Sequence, residues 1–147
     1  MIVCVAIDDN LGMMFNNRRQ SQDKILREHM INMCSGSKLW MNEYSGSQFE
    51  MPLSEQVIVD EDFLEKAGSD DYCFVENMPL AAYEERIQRF IVFKWNRIYP
   101  ADTYFDIPLS EHGWELINVT EFEGNSHKNI TKEEWSNVKR YHSEEMD

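Results

Sequence analysis

Residues 1–23, MIVCVAIDDNLGMMFNNRRQSQD, decide the reading of this chain. Ile2 to Ile7 is a continuous Val/Ile-rich run. Such a run predicts a strand buried on both faces, as in a parallel sheet covered by helices. It ends in Asp8-Asp9-Asn10, turns through Asn10-Leu-Gly12 and enters Phe15 to Gln22, which reads as a polar loop. Asp23 or Ser21 then caps a helix on which Ile25, Leu26, His29, Met30 and Met33 share one apolar face. Gly36 stops it. A buried strand, an irregular loop and a carboxylate at a helix start form a common α/β ligand-site layout.

Working outward, short strands are predicted at Lys38–Met41, Gln56–Val59, Asp71–Glu76 and Arg89–Trp95, and a long one at Trp114–Phe122. On the last, Trp114, Leu116, less cleanly Val119, and Phe122 form the expected apolar side. Asn42 to Met51 is turn-rich. The segment 60–68 has acids first, Lys66 last and Gly68 beyond, so it reads as a compact helix. Pro79 opens another, with Tyr83, Ile87 and Phe90 on one face. Strand and helix alternate, which predicts an α/β fold with a mostly parallel central sheet in three layers. Thr131-Lys-Glu-Glu134 has capping-box spacing. The expected organisation is therefore one domain over 1–131, followed by a terminal helix and acidic tail over 132–147.

The 147 residues suffice for one core. A net charge of −13 argues against nucleic acid and anionic membrane as partners. It suits solubility, a cationic ligand or a basic protein. No run of 18 apolar residues and no basic-then-apolar leader are seen, so a cytoplasmic protein is expected. Three scattered cysteines, Cys4, Cys34 and Cys73, read as reduced core thiols. The four histidines, His29, His112, His127 and His142, stand singly and read as surface or helix-face residues. No metal site is expected, and no spacing suggests a Ser–His–Asp or Cys–His arrangement.

In order, the elements resemble a shortened dihydrofolate reductase over residues 1–127. Asp9-Asn10-x-Gly12 and Asn16/Asn17 are similar to that family's mobile active-site loop. Trp40 to Ser45 resembles its second strand and Met-Gly-Arg-x-Thr turn, and 56–77 its strand–helix–strand block before a Gly-Gly turn. Residues 91–95, Ala101-Asp102-Thr103-Tyr104-Phe105 and Asn125-Ser126-His127 follow in the family's order. The resemblance implies that Asp23 is the carboxylate that grips a pterin. The departures are equally specific. Asn42 and Glu43 stand where the phosphate-holding turn has glycine and arginine, and Glu76-Asn77 replaces the Gly-Gly pair. Carboxylates there repel a phosphate, and side chains block close backbone approach. One strand and one helix are missing between Phe49 and Gln56, and no final strand is recognised after His127. Small bacterial proteins labelled ribonuclease Z also show a resemblance; that activity needs a His-x-His-x-Asp-His run, which this chain lacks.

Asp23 is the candidate catalytic residue. Asn16, Asn17, Arg18, Arg19, Trp40, Tyr44, Lys94 and Asp102 are the candidate ligand-binding residues. Arg18 and Arg19 suit an anion, Tyr44 and Trp95 a flat ring, and Lys94 lies at a strand end where α/β ligands gather. Core packing is the competing reading for Trp40 and Trp95, and self-pairing for the arginines. No cofactor is expected, and NADPH is disfavoured. Three functions follow: a non-catalytic relative binding a small molecule or protein, a reductase with a different cofactor mode, or an acidic interaction or inhibitor domain.

Overall fold

A computed structural model describes residues 1–50 and 53–137. The strands are β1 (Ile2–Ile7), β2 (Gly12–Phe15), β3 (Arg18–Arg19), β4 (Leu39–Met41), β5 (Val57–Val59), β6 (Tyr72–Phe74), β7 (Arg89–Lys94), β8 (Thr103–Tyr104), β9 (Trp114–Phe122) and β10 (Ile130–Asn137). The α-helices are α1 (Lys24–Met33), α2 (Glu43–Gly46) and α3 (Phe63–Lys66), and a 3-10 turn spans Ala81–Arg86.

β1 is hydrogen-bonded to β6 on one side and β7 on the other, both parallel. The main sheet runs β5-β4-β6-β1-β7-β10-β9, and β10 runs antiparallel to both β7 and β9. Alternate residues of β1 and β7 enter opposite layers, because successive side chains leave a strand on opposite faces. Val3, Val5, Ile7, Phe90 and Val92 pack with Phe63, Phe105 and Trp114. Ile2, Cys4, Ile91 and Phe93 pack under Leu26 and Met30 of α1. Burial on both faces explains the unbroken apolar run at residues 2–7. The α/β expectation with a mostly parallel central sheet is met. Among the described residues, no helix is long and apolar enough to cross a membrane.

Three local expectations are corrected. Phe15 to Gln22 is not simply a loop: β2 and β3 form a hairpin, and β8 pairs the other edge of β2. Asn16 and Asn17 both have positive φ, +52° and +60°. Asparagine tolerates that region, and two such residues make the tight turn whose twist matches the strands. The segment after Pro79 forms only the 3-10 turn, since Phe90 is drawn into β7 opposite Val3 and Trp135. On β9, Leu116 is 44% exposed, so the expected apolar side is covered only at Trp114 and partly at Phe122.

The largest correction is at the end. Residues 130–137 are β10, not the start of a helix, so the sheet continues past residue 131. Thr131 to Ser136 pair with Lys94 to Arg89. A capping box is worth about 1 kcal/mol, whereas six ladder partners close the otherwise open edge of β7 and bury Ile130. The missing final strand is thus present. Residues 138–142 of the expected helix lie outside the described residues.

Candidate functional site

The carboxyl ends of β1, β4, β6 and β7 form the edge where an open α/β sheet gathers ligands. Here the β2–β3 hairpin folds over that edge, and its Arg19 reaches across. The Arg19 guanidinium donates to Glu76 through Nε (2.9 Å) and Nη2 (3.3 Å), and to the Tyr44 carbonyl (3.0 Å). It also lies 4.4 Å from the centre of the Tyr44 ring. The Arg19 backbone N–H donates to the Tyr44 hydroxyl at 2.8 Å. Gln48 Nε2 adds a third donor to Glu76. Glu76 is 8% exposed, so its charge is tolerated only through these partners. Next to it, Asn42 caps α2 through Oδ1 and donates from Nδ2 to Asn77 at 2.9 Å. The two turns that the resemblance assigns to cofactor phosphates, 41–45 and 76–77, are therefore both held by Arg19 and Asn42.

Asp23 is 2% exposed and caps α1. Its Oδ1 accepts from the N–H groups of Ile25, Leu26 and Asn125. Its Oδ2 accepts from the N–H groups of Ser126 and His127, from Ser126 Oγ, and lies 3.1 Å from His127 Nδ1. Burial pushes the Asp23 carboxyl up, but the Asn125 and Ser126 N–H groups, the His127 side chain and the Leu26 N–H outweigh it and hold it well below the usual carboxylate range. Gly124 makes room: a Cβ there would stand 2.5 Å from Asp23 Oδ2. The carboxylate is consumed by joining α1 to the β9–β10 loop.

A cavity of about 380 Å³ opens on the other face of α1. Lys24, Arg27, Glu28, Ile31 and Asn32 line one wall, and Phe49, Glu50, Leu53, Ser54 and Val57 the other. Its floor is apolar and its rim carries both charges. None of these residues stood out in the sequence, because each has ordinary chemistry and only the placement of Phe49, Leu53 and Val57 beside α1 makes them a groove. The signal available was the i, i+3, i+4, i+7 spacing of Lys24, Arg27, Glu28 and Ile31, which puts them on one side of α1.

The other candidates disperse. Asn16, Asn17 and Arg18 sit exposed on the hairpin, where Asn16 N–H donates to Asp102 Oδ2 at 3.0 Å. Trp40 Nε1 donates to Asp71. Lys94 Nζ pairs with Glu133 at 3.1 Å across the β7–β10 ladder. Trp95 is 5% exposed and packs in the core. His127 is not a surface residue: it is 4% exposed, 4.5 Å from the Trp95 ring, with Nε2 2.8 Å from Ser21 Oγ and 3.2 Å from the Tyr99 hydroxyl. Ser21, Asp23 and His127 thus meet, although about a hundred residues separate His127 from the others. Among the described residues, no group of three His, Cys, Asp or Glu side chains is placed to hold a metal ion.

Compared with solved structures, the chain is similar to a dihydrofolate reductase from Enterococcus faecalis, complexed with NADP(H) and RAB-propyl. The TM-score is 0.64 at 10% identity, over 94% of this chain and 96% of that one. No family model matches the sequence, and no curated protein matches it. At this identity the likeness establishes the fold.

Proposed function

We propose that this chain, a dihydrofolate reductase-like fold, has given up NADPH-dependent reduction and binds a small ligand in the groove beside α1. The observation that carries the first half is the Arg19–Glu76–Tyr44 contact at the strand ends. A dinucleotide needs backbone that its pyrophosphate can approach and cations left free for its phosphates. At 76–77 it would meet a buried carboxylate, and the arginine nearest to it already spends its guanidinium on that carboxylate. These residues do not fit the cofactor. The groove supports the second half: Ile31, Phe49, Leu53 and Val57 offer an apolar floor, with Lys24, Arg27, Glu28 and Glu50 at the rim for one polar end of a ligand.

Titration with NADPH and, separately, with 8-anilinonaphthalene-1-sulfonate, followed by fluorescence, tests both halves. NADPH is expected to give no saturable quenching up to millimolar concentration. Saturable micromolar binding overturns the first half and revives a reductase with another cofactor mode. The sulfonate is expected to bind saturably and to lose at least tenfold in affinity, about 1.4 kcal/mol, in Ile31→Glu. Equal binding by that variant overturns the groove assignment.

A further inference from the structure

Asp23, His127 and Ser21 stand in a sequence of contacts that helix capping does not require. Asp23 Oδ2 lies 3.1 Å from His127 Nδ1, and Ser21 Oγ lies 2.8 Å from Nε2. The carboxylate and the hydroxyl occupy opposite nitrogens of one imidazole. That is the order in which a carboxylate orients a base and the base activates a hydroxyl. We propose that Ser21 is a nucleophilic serine, activated by His127 and Asp23, that accepts acyl groups from small carboxylic esters.

Each part is held in place. The imidazole packs against Trp95 with rings tilted by 31°, and its own backbone N–H is tied to Asp23. Nδ1 faces two oxygens, Asp23 Oδ2 and Ser126 Oγ, each at 3.1 Å, and a proton placed there leaves the Nε2 lone pair toward Ser21. Asp23 and His127 are buried, while Ser21 is half-buried. The residue after the nucleophile commonly donates its backbone N–H to the developing oxyanion. The Gln22 N–H makes no hydrogen bond among the described residues. Tyr99, whose hydroxyl lies 3.2 Å from Nε2, competes with Ser21 for the same lone pair.

In the reaction, Ser21 Oγ bonds to the ester carbonyl carbon as its proton passes to His127 Nε2. The tetrahedral adduct then breaks its bond to the leaving oxygen, which takes the proton from His127. Water attacks the acyl-serine and gives a proton to Nε2. The Ser21 C–O acyl bond breaks, the proton returns to Oγ, and the carboxylic acid leaves. No cofactor is consumed.

The test is labelling with a fluorophosphonate, mapped by mass spectrometry, together with turnover of p-nitrophenyl acetate. Wild type should be phosphonylated at Ser21 and should release p-nitrophenol. Ser21→Ala should lose both while keeping its circular dichroism and melting temperature. Removal of the base in His127→Gln should slow labelling by ~10²-fold. Should that variant fail to fold, Tyr99→Phe still discriminates: freeing Nε2 should speed labelling at least twofold. A folded wild type labelled no faster than Ser21→Ala, an adduct on another residue, or a Tyr99→Phe rate no higher than wild type would each overturn the proposal.

Discussion

Arg19 and Glu76 form a two-point ion pair across the carboxyl ends of β4 and β6, with N–O distances of 2.9 and 3.3 Å. The arginine side chain is 18% exposed and the glutamate 8%. This pair closes the hairpin onto the sheet beside the turn at 76–77. Removing one partner strands the other charge in a dry setting. Arg19→Met should therefore destabilise the fold by about 2–4 kcal/mol in urea unfolding. The double variant Arg19→Met/Glu76→Met should recover more than half of that loss, because the stranded carboxylate is gone too.

Asp23 makes stability depend on acid. Its folded value is depressed while its unfolded value is ordinary, about 3.9. Its contribution is therefore complete above roughly pH 5 and is lost as pH falls below the ordinary carboxylate value toward the depressed one. Urea unfolding at a series of pH values should show a steep acid loss in wild type and a flatter one in Asp23→Asn. The variant should also be weaker at neutral pH by at least about 2 kcal/mol, since it leaves buried N–H donors unmatched. Parallel curves for the two proteins would contradict the assignment.

Gly124 is required for space. An added Cβ would stand 2.5 Å from Asp23 Oδ2 and 2.8 Å from Ile130 Cδ1. Gly124→Ala should cost about 1–3 kcal/mol, read as a lowered melting temperature. Gly36→Ala also carries a cost, but a different one: nothing crowds its Cβ, and the strain comes from φ +83°.

The thiols should be inert in the native state. Burial pushes Cys34 and Cys73 up to about 12 and Cys4 well above its ordinary value. At pH 8 a thiol titrating near 12 is thiolate only about one part in ten thousand. Ellman's reagent should find no fast-reacting thiol in folded protein and three after unfolding in urea. A fast native phase would show that one cysteine is reachable.

Where local chemistry and burial pointed the same way, the sequence was enough. The run at 2–7 could only be a strand covered on both faces. Ile91 to Trp95 read the same way, and Asp23 with Leu26 and Met30 announced a capped, one-sided helix. Asp23, Arg19 and Tyr44 were singled out for their chemistry, and each proved to be a hub of contacts, although its partners were not foreseeable. Helix 132–142 was expected from a capping box and the spacing of Trp135 and Val138. Over residues 130–137 that local preference lost to the open edge of β7, a hydrogen-bonding surface some forty residues back in the chain. His127 looked like a lone surface histidine because its neighbours in sequence are polar; Trp95, Asp23 and Ser21 surround it only once β9 and β10 turn beside α1. The sequence by itself determined the elements whose stabilising contacts are local or whose periodicity exposes the core. The tertiary structure alone decided the edge strand, the Arg19–Glu76 pair at the strand ends, the groove and the Ser21–His127–Asp23 contact, because each depends on surfaces that long-range pairing brings together.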